Sequence, residues 1–116
     1  MEAGHIELFV KEPLVSMKFY CDVLGFELVE NQGDKFIWVK SDEILILFRP
    51  GKETNREKNY QESSFGLVLY TDNLDEKAKQ LKERGLVFKG TDGSDRCLTF
   101  TDPDGNWFQL VNPKEH

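Results

Sequence analysis

The stretch TDPDGNWFQLV, Thr101–Val111, decides how the chain is read. Asp102-Pro103-Asp104-Gly105 is a tight-turn signal: proline presets a turn φ, aspartates bond local backbone, and glycine accepts φ > 0. Trp107–Val111 then reads as a strand whose side chains alternate. Trp107, Gln109 and Val111 take one face, Phe108 and Leu110 the other. Gln109 is the only polar side chain inside that strand, and it shares a face with a tryptophan.

Working back from this strand, the same alternation marks His5–Val10, with Ile6, Leu8 and Val10 on one face and His5, Glu7 and Phe9 on the other. The aliphatic face suits packing on a helix, and the mixed face suits a lined cavity or an edge. Pro13 can open a helix. Leu14, Met17, Phe19, Tyr20, Val23 and Leu24 recur near helical spacing, which predicts an amphipathic helix over 14–24 ended by Gly25. Strands follow at Phe26–Glu30, Lys35–Lys40 and Ile44–Phe48, separated by turns at Asn31–Asp34 and Ser41–Glu43. The polar, aperiodic run over 52–63 reads as a linker.

The pattern then restarts. Phe65–Tyr70 is a strand. Asp72 or Asn73 can cap a helix over 74–84 that turns Leu74, Ala78 and Leu81 inward, and Gly85 ends it. Strands are predicted at Leu86–Lys89, Arg96–Thr101 and Trp107–Val111. The chain therefore reads as strand-helix-strand-strand-strand, twice, in one domain over 1–116: unit one 4–51 and unit two 64–113. Such a duplication must be recognised before any single residue is interpreted. The predicted fold class is α+β, with two tandem βαβββ units forming a curved, mainly antiparallel eight-stranded sheet and helices on its convex face. The concave face would be a trough, the kind of surface where small ligands bind.

Composition narrows the function classes. At 116 residues the chain can bury a core, and 39% hydrophobic with 31% charged residues is ordinary for a globular domain. A net charge of −6 without a basic tract argues against nucleic acid. No apolar run approaches the ~20 residues that cross a bilayer, and the start MEAGH carries no signal pattern. Cys21 and Cys97 fit no metal-binding spacing and read as reduced thiols, consistent with a cytoplasmic protein. No nucleophile elbow or phosphate-cradling glycine loop is present.

Four fragments, in this order and spacing, resemble the vicinal oxygen chelate superfamily of glyoxalases, extradiol dioxygenases, and fosfomycin- and bleomycin-resistance proteins. They are His5-Ile6-Glu7-Leu8, Phe19-Tyr20 with Leu24-Gly25-Phe26, Asp72-Asn73-Leu74, and Asp102-Pro103-Asp104-Gly105-Asn106. The resemblance spans 4–113 and implies the fold more than the activity. In metal-using members, one trough position on each of the first, fourth, fifth and eighth strands holds a divalent cation. Those positions fall here on His5, on the apolar window Ile44–Phe48, on Gly66 (Phe65 if the register slips) and on Gln109. One imidazole and one neutral amide are a poor set for a metal that needs about three or more charged or borderline ligands. Glu7 could add one carboxylate. The resemblance also implies a homodimer, because short members complete a trough across a two-fold axis.

Two readings of function follow. In the first, a small organic molecule binds in an aromatic trough without a catalytic metal, lined by His5, Glu7, Arg49, Gly66, Tyr70, Trp107 and Gln109. His5 is the best catalytic candidate, and Arg49 could clamp a carboxylate or phosphate. The remaining aromatics, Phe9, Trp38, Phe48 and Phe65, read as core or interface. In the alternative, a divalent metal at His5 and Gln109 supports a glyoxalase-like lyase or isomerase, or a dioxygenase.

Overall fold

The computed structural model describes residues 1–52 and 57–115. The expected linker over 52–63 includes residues 53–56, which lie outside the described residues. The chain divides into two compact units, Met1–Thr54 and Asn55–His116.

In the first unit, β1 (Ile6–Val10) is followed by α1 (Pro13–Lys18), a π-helical turn (Phe19–Val23), and the strands β2 (Glu27–Gln32), β3 (Phe36–Ser41) and β4 (Ile44–Pro50). The strand order is β1-β4-β3-β2. β1 runs parallel to β4 with Ile6 opposite Ile46, Leu8 opposite Phe48 and Phe9 opposite Arg49. The β3 pairings with β2 and β4 are antiparallel. Strand alternation then sorts the side chains. One face collects Val10, Ile37, Val39, Ile46 and Phe48, all essentially buried. Tyr20 joins them, its ring against Phe26 and Phe48 at centroid distances of 5.4 and 4.6 Å. Each such side chain contributes about 1.5–3 kcal/mol by leaving water.

The helical stretch differs from its sequence reading. Helical spacing placed Leu14 inward, yet Leu14 and Val15 are exposed and the buried positions are Pro13, Ser16 and Tyr20. Small Pro13 and Ser16 let the helix approach the sheet closely, and after Lys18 the turn widens, with Leu24 N donating to Phe19 O five residues back. The wider turn carries Tyr20 into the core.

In the second unit, a short 3-10 turn (Tyr60–Glu62) precedes β5 (Gly66–Tyr70), α2 (Leu74–Glu83), β6 (Leu98–Thr101) and β7 (Trp107–Val111). The order is β5-β7-β6, with β5 parallel and β6 antiparallel to β7. Asn73 caps α2: its side chain accepts from Glu76 N at 3.2 Å and donates to the Glu76 carboxylate at 3.1 Å. Leu74, Ala78 and Leu81 are buried as their spacing predicts, and Phe100 stacks on Phe108 at 5.0 Å in the same core. Gly25 and Gly85, the expected helix ends, have φ of 81° and 96°.

The expected single eight-stranded sheet is not what forms. The described residues build two mixed sheets, of four and three strands. The missing strand is Leu86–Lys89. Lys89 N donates to Thr99 O at 2.7 Å, but Thr99 N donates to Gly90 O at 3.1 Å, so two residues face one. Gly90, at φ 85°, absorbs the extra residue as a bulge, and only the single bridge Thr91–Leu98 continues beyond it. The mainly antiparallel expectation is likewise modified, since the first strand of each unit adds in parallel to its last.

The turn Asp102–Gly105 joins β6 to β7. The buried Asp102 carboxylate accepts from Asp104 N, Asn106 N and Asn106 Nδ2 at 2.8–2.9 Å. Asp102→Ala strips three charge-assisted bonds at once and leaves their donors buried. It is expected to lower unfolding stability by about 2–3 kcal/mol, measured by urea denaturation against Asp102→Asn, which retains part of the network.

Candidate functional site

Only one face of each sheet is covered by its own helix. In the first unit the other face presents His5, Glu7 and Phe9 from the β1 side, Leu47 and Arg49 from β4, and Phe36 and Trp38 from β3, as the pairings of Glu7 with Leu47 and of Leu47 with Trp38 require. Arg49 is the centre of this group. Its Nη1 donates to Glu7 Oε1 at 2.9 Å. Its guanidinium lies 4.9 Å from the centre of the Phe9 ring and 5.6 Å from that of Phe36. His5 Nε2 donates to the other Glu7 oxygen at 2.8 Å, and the imidazole meets Trp38 edge-on at 4.7 Å. That bond leaves Nδ1 of a neutral His5 as a proton acceptor.

Two of the sequence-predicted residues thus hold a third between them: Glu7 bridges His5 and Arg49. Phe9 stands on this face with His5 and Glu7, as strand alternation placed it, and Trp38, read as core or interface, stands there too. The signal that could have found Trp38 is its strand parity, two positions from Phe36 and opposite in phase to the buried Ile37 and Val39.

In the second unit Gln109 shares its face with Gly66, Val68, Tyr70, Thr99 and Trp107. The end of this face around Gly66, Trp107 and Gln109 is occupied by its own unit. A Cβ on Gly66 would lie 2.5 Å from the Tyr60 hydroxyl, so Tyr60 stands where a side chain at 66 would go. Tyr60 meets Trp107 edge-on at 6.4 Å, and the Trp107 indole N–H donates to Glu57 O at 3.2 Å. Trp107, read as trough-lining, is only 2% exposed, whereas Tyr70 is 74% exposed. Gln109 donates to Asp92 Oδ2 at 3.1 Å, and Asp92 Oδ1 accepts from Gln61 Nε2 at 2.9 Å. Asp92, Gln61 and Tyr60 carried no local sequence signal, because each reaches the face from an irregular segment.

A cleft of about 530 Å³ lies elsewhere, beside α2, with Lys79, Lys82 and Arg96 among its lining. Arg96 is fully engaged there: Nη1 and Nη2 on Asp75, Nε and Nη2 on Glu115. It ties the C-terminal turn to the start of α2 and holds the Asp75 carboxyl below the ordinary range. Both cysteines are free; burial pushes the Cys21 and Cys97 thiols up, which keeps them protonated. No helix among the described residues is long and apolar enough to cross a membrane.

A duplicated strand-helix-strand arrangement in which one sheet face of each unit is left uncovered by its helix defines a class of small ligand-binding and catalytic proteins. The sequence profile of the Glyoxalase/Bleomycin resistance protein/Dioxygenase superfamily matches residues 2–110, and the chain belongs to that superfamily. Solved structures share the fold. TnmS3, an antibiotic binding protein from a Streptomyces species, is 24% identical, with 97% of this chain and 98% of that one covered at a TM-score of 0.69. A variant of the fosfomycin resistance protein FosX from Listeria monocytogenes, complexed with Mn(II) and a dihydroxypropylphosphonic acid, is 20% identical over 96% of this chain and 91% of its own, at 0.75. Lactoylglutathione lyase from Agrobacterium tumefaciens is 17% identical over 98% and 96%, at 0.70.

A solved structure of the same fold holds Mn(II), which raises the question of a divalent cation here. The residues do not fit one. Among the described residues no three His, Cys, Asp or Glu side chains converge as metal ligands. The carboxylate beside His5 is already neutralised by Arg49. A doubly charged ion about 5 Å from that guanidinium would meet a repulsion of roughly 7 kcal/mol at an effective dielectric of about 20, and Glu7 has no second charge with which to offset it. In the second unit, Gln109 offers a neutral amide that is already bonded to Asp92.

Arg49 first, and His5 second, hold the Glu7 carboxyl below its ordinary value of 4.5. A group with a lowered folded value stabilises the fold above its unfolded value, and that contribution disappears as pH falls through the folded one. Half-exposed as the pair is, the effect is small. The melting temperature is expected to fall more steeply below pH 4.5 in the unmodified protein than in Glu7→Gln, measured by scanning calorimetry across the acid range.

Proposed function

We propose that this chain binds a small organic molecule with an aromatic or other flat apolar part, on the uncovered face of its first unit and without a catalytic metal. The observation that carries the reading is that face itself. Trp38, Phe9 and Phe36 surround a polar cluster of His5, Glu7 and Arg49, and no helix of the unit covers them. Aromatic faces bind flat ligands by stacking and burial, and a few fixed polar groups orient them. Membership of a superfamily that includes bleomycin resistance proteins, and the likeness to an antibiotic binding protein, are in keeping with the binding reading.

Small aromatic compounds are expected to raise the melting temperature in a thermal-shift screen, by mass action on the folded state. A hit is expected to keep its affinity in excess chelator and to lose about tenfold or more in Trp38→Ala, since stacking and burial together are worth about 1.5 kcal/mol or more. A wide screen without a hit, or hits that bind only with added Mn(II) or Zn(II), would sink the reading.

A further inference from the structure

Arg49 carries an unspent recognition surface. A guanidinium offers two in-plane forks, and the one built from Nε and Nη2 matches a carboxylate with two parallel hydrogen bonds. Here Nη1 is spent on Glu7. The buried Nε has no hydrogen-bond partner and is the one such orphaned side-chain atom among the described residues. Nη2 has no acceptor among them either. A buried donor without an acceptor carries a penalty of about the desolvation of that group, and native proteins rarely keep one without a use.

The surroundings make the orphan informative. The rings of Phe9 and Phe36 lie against the guanidinium and keep water from Nε. Phe9 is itself 57% exposed, so its ring has room to turn aside and open the edge of the fork. Glu7 occupies the other end of the guanidinium and divides its two oxygens between Arg49 and His5. Glu30, opposite Trp38 in the sheet, is bonded to Gln32. No protein anion therefore competes for the Nε–Nη2 edge among the described residues.

From this we infer that the ligand of the first unit's uncovered face carries a carboxylate attached to its aromatic part, and that Arg49 receives it through Nε and Nη2. The inference rests on the proposed binding role of that face and adds the ligand's chemical class. The planar carboxylate matches the planar fork and reaches Nε along the edge that opens when the Phe9 ring turns aside. The ring of the ligand then extends over the sheet toward Trp38 and His5. Glu7 keeps the guanidinium in position by holding Nη1, so Arg49 and Glu7 act as a clamp and its anchor.

The test compares 1-naphthoate, 1-naphthamide and 1-naphthylphosphonate by calorimetric titration against the unmodified protein, Arg49→Lys and Trp38→Ala. The carboxylate is expected to bind about tenfold or more tightly than the isosteric amide. Arg49→Lys, which keeps the charge but loses the fork, is expected to erase most of that preference while the amide's own affinity stays within about twofold. The phosphonate is expected to bind more weakly than the carboxylate, because a tetrahedral group fits a two-ring slot less well; a phosphonate that binds best would overturn the planar assignment. Equal affinity for carboxylate and amide in the unmodified protein, with both lost in Trp38→Ala, overturns the inference and leaves the binding role standing. No binding by any of the three overturns the inference, and the wider aromatic screen then decides the binding role separately.

Discussion

The structure depends on the parallel addition of each unit's first strand to its last. In the first unit this pairing fixes Ile6 against Ile46 and Phe9 against Arg49. In the second it fixes Gly66 against Trp107 and Val68 against Gln109. Because side chains alternate along a strand, one register decides everything on both faces. A shift of a single residue would send Ile6, Leu8 and Val10 into water and bury Glu7. The hydrophobic gain from Ile46 and Phe48 therefore also sets the polar geometry on the reverse side, where Glu7 meets Arg49.

The two units spend the same architecture differently. The first leaves one sheet face uncovered by its helix and gathers there a cation, an anion and an imidazole among aromatic rings. The second fills part of the corresponding face from within. Tyr60 occupies the space that Gly66 vacates, and Gln109 is drawn into a hydrogen-bonded chain with Asp92 and Gln61. A glycine in a strand normally weakens it; here the missing side chain admits a phenol that packs edge-on to Trp107.

Charge decides the chemistry that such a fold can host. A metal site needs anionic donors whose charge is not otherwise committed. The first unit commits its one central carboxylate to a guanidinium, and the result is a cluster close to neutral that can change partners. Such a cluster suits the proposed binding by exchange of hydrogen bonds, with aromatic surface supplying most of the affinity.

Periodicity and turn chemistry made much of this legible in the chain alone. Trp107–Val111 is a strand with the bounds its alternation predicts, Asn73 caps the second helix, and the repeated strand-helix order led to the superfamily. Local pattern could not foresee that Ser16 rather than Leu14 turns inward, because that choice depends on how closely the helix meets its sheet. Nor could it foresee the bulge at Gly90, which exists only because Thr99 bonds both Lys89 and Gly90. The sequence determined which residues alternate and where the chain turns, since these are properties of neighbours a few positions apart. Only tertiary structure decided that Glu7, forty-two residues before Arg49, would share its charge with it, because that contact is set by strand register, and register is fixed by the buried face on the other side of the sheet.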